Sequence, residues 1–437
     1  MRKFSFLLTA FFALITSVVF AQTGELKGVI TDATTKEPVP FAAVVLETGG
    51  TQVSGTKTDF DGNFTIKPIT PGNYDIKVTV VGYNTSLEKG VLIIANKTSF
   101  LNKAINPSIT QTDVVEVTAY KVPVFERDQT STGGTLTSDQ IKALPSREIN
   151  AAVSTSAGVF QNQKSGEEGI NIKGGRSEGT QYFIDGVKVR GSINIPQNSI
   201  EQINVLTGGV PAEFGDATGG VINITTKGPS RKFAGGLEGV TSEFVGRDGY
   251  NLGAAVLSGP FLLTNKGKSN ERTLLGFTVS GELQSQRDPR LSGVQQYKVK
   301  DAVLKDLQKR PLALNTNDVL NVNRAEFITM NDLEKIKARQ DVESQNIRVS
   351  TKLSFQPTEM VNLTLGLSGE RSNARNYVAE NYLFNTGKNG VRLDNTFRVF
   401  ARYTQRFGNQ KSDEESTIKN AYYSIQADYS KQYIGNQ

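Results

Sequence analysis

Across 437 residues there is no cysteine, no histidine and no tryptophan. Without cysteine there is no disulfide framework, no thiolate nucleophile and no attachment point for a bacterial lipid anchor. Without histidine the chain lacks the commonest general base and the commonest zinc ligand. An enzyme is therefore the least expected class, and no catalytic residue, metal or resident cofactor is expected. Charge of one sign is scarce too: Lys plus Arg number 49 against 43 Asp plus Glu, a net +6, spread along the chain. Nucleic-acid binding would want a basic patch or a known module, and neither is present. Past the first twenty-odd residues no stretch is apolar enough for a transmembrane helix.

What is present begins with an export signal. Arg2 and Lys3 lead into an apolar run from Phe4 to Phe20, and Val19-Phe20-Ala21 supplies a small-residue cleavage site. Residues 1–21 read as a signal peptide cut after Ala21; a single membrane anchor is the alternative. From Gln22 to Ala104 short alternating segments recur, at Leu26–Thr31, Ala42–Leu46, Phe64–Ile66, Tyr74–Val80 and Val91–Ile94. Between them Pro38-Val39-Pro40, Asp61-Gly62-Asn63 and Pro71-Gly72-Asn73 supply turn chemistry. The expectation is a β-sandwich of this whole segment. Asp59-Phe60-Asp61-Gly62 hints at a calcium loop, but the closing Glu at twelve-residue spacing is missing, so a plain turn is expected.

Residues 105–132 form a linker. Within it Asp113-Val114-Val115-Glu116-Val117-Thr118-Ala119 can extend as a strand, since Val115 and Val117 alternate with Glu116 and Thr118. Such a segment suits pairing with the edge of another protein's sheet; it could equally be the first strand of the following domain.

From 133 to 230 the chain is glycine-rich. Thr137 or Ser138 caps a helix to Leu144, with Gln140 three residues after Thr137 and Pro145 ending it; Arg147–Ser156 is a second short helix. Then come Gly174-Gly175-Arg176, a strand with an Asp185-Gly186 hairpin, Gly208-Gly209, Glu213-Phe214-Gly215 and Gly219-Gly220. A phosphate loop at Gly174 would need a Gly-Lys-Ser/Thr ending or dinucleotide spacing, and has neither.

From 231 onward the period is two. Ile347, Val349, Thr351, Leu353 and Phe355 alternate with Arg348, Ser350, Lys352 and Ser354; Val361, Leu363, Leu365 and Leu367 alternate with Asn362, Thr364, Gly366 and Ser368. The same pattern runs through Leu275–Gln284 and Tyr423–Ser430. Segments of about ten residues with one apolar and one polar face fit a membrane barrel wall, about seven strands of it; a soluble sandwich alternates similarly. Connections also alternate: moderate at Leu262–Arg272, long at Asp288–Ser344, tight at Pro357-Thr358-Glu359, long at Asn376–Asp394, short at Gly408–Ser416. The first, near Gly246–Gly249, is tight where length was allowed. Asn331–Gln340 reads as a loop helix with Asn331 as cap. Arg398, Arg402, Arg406 and Arg348 fall on the polar face, where they are expected to pair with carboxylates such as Glu213 or Asp216; an anionic ligand path is the alternative.

Two resemblances organise these readings. The first segment resembles the carboxypeptidase-regulatory-like domain, a transthyretin-like fold, through Gly28–Asp32, Pro38-Val39, Ala42–Val44, Thr58–Phe64, Gly72–Tyr74 and Gly82-Tyr83. The glycine-rich segment resembles the plug domain of TonB-dependent outer-membrane receptors, in the combination found in Bacteroidetes. That resemblance implies a plug inside a barrel of about 22 strands, of which this sequence would be an N-terminal piece. It makes Asp113–Ala119 a TonB box, hanging in the periplasm, to which TonB adds a strand on behalf of inner-membrane energy-coupling proteins. It implies residence in the outer membrane of a Gram-negative bacterium, contact with outer-membrane lipid, and import of an unidentified ligand: a metal chelate, a glycan or a peptide. A surface lipoprotein partner, and a role as a structural or assembly component, stay open.

Overall fold

The computed structural model describes residues 23–48, 50–108, 115–119, 131–162, 169–189, 193–211, 214–215, 217–264, 272–314, 321–358, 360–407 and 421–436. The expected signal peptide lies outside them.

The first unit is a sandwich of two sheets. One holds β1 (Gly24–Asp32), β4 (Asn63–Ile69), β7 (Thr98–Phe100) and β8 (Lys103–Ile105), with β1 central, antiparallel to β4 and parallel to β7 and β8. The other runs β3 (Thr51–Lys57), β2 (Ala43–Thr48), β5 (Gly72–Thr79), β6 (Thr85–Ile93) and β9 (Val115–Ala119). Strict alternation turns Leu26, Ile30, Val44, Leu46, Ile66 and Ile76 inward, all fully buried, and their apolar area drives the two sheets together. The Asp59 carboxylate accepts from the N–H groups of Asp61 and Asn63 at 3.0 and 2.7 Å, which shapes the turn.

The second unit is a five-stranded sheet in the order β10 (Thr132–Thr137), β15 (Ile200–Gly208), β16 (Gly220–Thr226), β13 (Thr180–Ile184), β14 (Val187–Val189), flanked by the pair β11 (Val159–Asn162) and β12 (Gly169–Ile172). Helices α1 (Ser138–Ala143) and α2 (Ile149–Val153) pack on it through Ile141, Ile149 and Val153. The cap of α1 is the expected box: the Thr137 hydroxyl accepts from the Gln140 N–H, and the Gln140 side chain accepts from the Thr137 N–H at 2.9 Å. Asp185 and Gly186 take φ of 50° and 83°, the left-handed pair that a two-residue hairpin requires.

The third unit is a wall of seven antiparallel strands paired strictly in sequence: β17 (Ala234–Thr241), β18 (Asn251–Thr264), β19 (Arg272–Gln286), β24 (Ser344–Phe355), β25 (Val361–Arg375), β26 (Val391–Arg406) and β27 (Tyr422–Asn436). Its burial is inverted relative to a soluble sheet. Leu283, Ile347, Val349, Leu365 and Ile425 are exposed, whereas Ser280, Glu282, Arg348, Ser350, Glu370 and Thr396 are buried. Apolar side chains outside and polar ones inside are the signature of a wall that faces lipid.

The 287–343 connection departs from expectation. Asn331–Gln340 is not a helix: Met330–Asp332 is a single 3-10 turn, and β23 (Leu333–Ile336) pairs with β20 (Gln296–Val299). Thr329 captures the cap instead, its N–H donating to Asp332 at 2.9 Å, so Asn331 falls inside the turn. The helix of this connection is α3 (Asp301–Lys309), on which Val303, Leu304 and Leu307 share the less exposed face. The short strands β21 (Leu312–Leu314) and β22 (Asn321–Asn323) pair beyond it.

Candidate functional site

Two places combine unusual chemistry with a position between units: the seam where the glycine-rich domain meets the wall, and the strand β9.

The seam is polar. At one end the Asp185 carboxylate accepts from the Thr226 N–H at 3.0 Å, the Thr226 hydroxyl at 2.6 Å and the Lys352 ammonium at 2.9 Å. Lys352, on the wall, also donates to the Thr226 carbonyl at 2.9 Å, and Arg402 donates to the Asp185 carbonyl. Farther along, Arg348 bridges two wall carboxylates, Glu282 at 2.7 Å and Glu370 at 3.2 Å. Residues of the glycine-rich domain join this cluster: Asn194 donates to Glu370 at 3.1 Å, the Gln197 N–H to Glu282 at 3.4 Å, and Asn198 to Glu238 at 3.3 Å. Arg147 pairs with Glu238 and lies 3.7 Å from Glu282. The charges of Arg147 and Arg348 are thus interleaved with those of three glutamates, which is what buried ions need.

Three of the wall arginines have other neighbours in the structure than the carboxylates named from the sequence. Glu213 and Asp216 lie outside the described residues. Arg348 answers to the wall's own Glu282 and Glu370, and Arg402 to a backbone carbonyl of the Asp185 turn. Arg406 sits beside Tyr74 of the sandwich. Sequence reasoning named Arg348 and Asp185 but missed Lys352, Glu282 and Glu370; their signal was a charge on the polar face of a strand whose other face is apolar.

The glycine motif gathers mostly at the opposite end of the sheet from Asp185-Gly186. Gly174 (φ 78°) and Gly175 make the turn after β12, and the Gly175 N–H donates to the Ile172 carbonyl at 2.8 Å. Arg176 opens the 3-10 turn Ser177–Gly179, whose Gly179 carbonyl accepts from the Gly219 N–H at 2.9 Å. Gly208 ends β15 beside Thr132 and Lys173, and Gly209 and Gly215 take φ of 59° and 47°. At Gly220 a Cβ would lie 2.7 Å from the Leu206 carbonyl oxygen, so only glycine lets β15 and β16 close at that point. These glycines are turn and packing positions of one compact domain.

Of the segment Asp113–Ala119, Asp113 and Val114 lie outside the described residues. Val115, Glu116, Val117, Thr118 and Ala119 form β9, which pairs in parallel with β6 in the register Thr85 to Val115 through Lys89 to Ala119. It is the edge strand of the preceding sandwich, neither a first strand of the following domain nor a hanging segment.

The sandwich in turn rests on the other two units. Tyr74 of β5 lies among Glu201, Arg231 and Arg406; burial first, and the Glu201 charge second, push its phenol up, against the two arginines. Burial likewise pushes the Glu201 carboxyl up, against Lys227 and Lys352.

Comparison with known proteins agrees with this layout. Residues 25–105 match the carboxypeptidase regulatory-like domain family, and residues 126–221 match the TonB-dependent receptor plug domain family. A TonB-dependent transporter, Oar of Myxococcus xanthus, is 28% identical over 234 residues, which is 51% of this chain and 22% of that protein. The ferrienterobactin receptor of Escherichia coli is 34% identical over 126 residues, 23% of this chain and 17% of that one. The chain thus spans about a fifth of the length of these relatives. Among solved structures, the alcaligin outer-membrane receptor FauA of Bordetella pertussis superposes with a TM-score of 0.45 at 14% identity, covering 71% of this chain and 40% of that one.

Proposed function

Taking the chain as a TonB-dependent receptor with a carboxypeptidase regulatory-like domain ahead of its plug, we propose that it imports a ligand across the outer membrane, energised by TonB pairing with Asp113–Ala119. The observation that carries this reading is a folded plug held by polar contacts against the wet face of a sheet whose other face is greasy. In this reading the sandwich and Asp113–Ala119 face the periplasm. The long connections 287–343 and 376–390 face outward and meet ligand together with the plug. TonB adds a strand to the backbone of Asp113–Ala119 and pulls, the plug shifts, and the ligand passes. No bond is made or broken, so no nucleophile or general base is called for.

The ferrienterobactin receptor among the relatives suggests ferric enterobactin as the first probe. The test is uptake of radiolabelled ferric enterobactin by cells carrying the full-length receptor or the same receptor lacking Asp113–Ala119, at equal surface levels. Uptake by the intact receptor and its loss on deletion is expected. Uptake that survives the deletion sinks the energy-coupling role of Asp113–Ala119.

A further inference from the structure

The strand β9 occupies a sheet edge that would otherwise be open. β6 is paired on its other side by β5, and among the described residues β9 is its sole partner on this side. An open edge of that length is a template for any extended peptide. The occupant arrives by a short route. Pro107 bridges to Tyr83, the Ser108 N–H donates to the Gly82 carbonyl at 2.9 Å, and the Asn84 N–H donates to the Asn106 carbonyl at 2.9 Å. The chain is therefore pinned at the very start of β6, and only residues 109–114 separate that pin from Val115. A connection that short holds a segment at an effective concentration on the order of millimolar.

We propose that the sandwich is the resting receptor for the TonB-pairing strand: the β6 edge holds Val115–Ala119 by its backbone, and TonB must compete for it. The proposal rests on Asp113–Ala119 being the segment TonB engages, and adds to it a docking edge with a specified register. Pairing of β6 with the segment commits one of its two hydrogen-bonding edges. It also fixes the segment to a body that touches the wall, where the Thr23 and Tyr422 hydroxyls lie 3.2 Å apart. TonB then captures the fraction of molecules in which the strand has left β6, and its apparent affinity falls by that fraction. Loss of the strand re-exposes β6, so the sandwich can take it back once TonB lets go.

These 437 residues hold no cysteine, so a pair introduced among them meets no native thiol within them. Leu87 and Val117 are register partners, and neighbouring strands about 4.8 Å apart bring such pairs within disulfide reach. The full-length receptor carrying Leu87→Cys and Val117→Cys is purified in detergent and titrated with the periplasmic domain of TonB, oxidised and then reduced. The oxidised form is expected to bind about tenfold more weakly or worse, and reduction to restore binding. The reduced form serves as its own folding control. Equal binding by a fully oxidised receptor overturns the sequestration while leaving the TonB-pairing role intact, since TonB would then be adding to the outer edge of β9. Absence of binding by both forms and by the unsubstituted receptor overturns the pairing role and the inference together. A second lock, Thr85→Cys with Val115→Cys, is expected to behave as the first; a disulfide that forms instead between Leu87→Cys and Val115→Cys shows a different register and overturns the docking described.

Discussion

Asp288 ties the start of the longest connection to its end. Its carboxylate accepts from the Arg339 N–H at 3.0 Å, from the Arg339 guanidinium at 3.0 and 2.6 Å, and from the Arg290 N–H at 3.1 Å. Burial would push this carboxyl up, but the Arg339 hydrogen bonds, the Arg290 N–H and the Arg339 charge outweigh it and hold it below the ordinary carboxylate range. Arg339 in turn lies over the Tyr377 ring at 4.6 Å, tying the 287–343 connection to the next long one. A carboxyl with a lowered folded-state pKa gives stability that is complete above its unfolded value of about 3.9 and drains away as pH falls through the folded value. Limited proteolysis of the 287–343 connection should therefore be flat from pH 7 to about 5 and rise steeply below about 4. The Asp288→Asn receptor should be cut readily at every pH, with that acid-dependent rise gone.

At the scale of elements, the cluster around Arg348 is the most exposed to single substitutions. Glu282 and Glu370 are both buried and both accept from this guanidinium, which lies between them, with Arg147 3.7 Å from Glu282. Removing one partner of a buried ion pair leaves an uncompensated charge, at about 3–5 kcal/mol. Arg348→Ala should lower the unfolding midpoint of the detergent-solubilised receptor by that order, whereas replacing all three residues by Arg348→Met, Glu282→Gln and Glu370→Gln should recover much of the loss. Most elements were legible because their signal is local. The wall strands alternate with a period of two whatever they pair with, Thr137 and Gln140 cap each other across three residues, and Asp185-Gly186 dictates its own turn. What was illegible depends on distant partners. Val115–Ala119 reads as a strand, but five residues carry no information about which edge will accept them. Leu333 and Ile336 fit one helical face as well as a strand, and only the pairing with Gln296–Val299 decides. Thr51–Lys57 holds a single large apolar residue, Val53, and becomes β3 because β2 lies beside it.

At the scale of the molecule, the inverted wall makes a prediction about lipid. Leu365 points outward from the middle of β25, while its neighbours Gly366 and Ser368 lie against the interior. An arginine on the lipid face near the membrane midplane costs about 2–4 kcal/mol. Leu365→Arg should thus depress membrane assembly of the full-length receptor, read as loss of its folded, heat-modifiable band on cold gels. Ile425→Arg, two strands along the wall on β27, should behave alike, and Glu243→Arg in the first tight connection should not. Equal tolerance at all three positions would mean that the apolar face meets something other than hydrocarbon.

The hydrogen-bonded contact between plug and wall carries a last consequence. Where two bodies interlock through packed methyl groups, sliding one past the other opens voids that nothing fills. Here Asn194, Asn198, Arg147 and Lys352 reach across with groups that water can serve nearly as well. Contacts of this kind can be traded for solvent a few at a time and remade by the reverse exchange, so the two bodies can part and rejoin without opening a void.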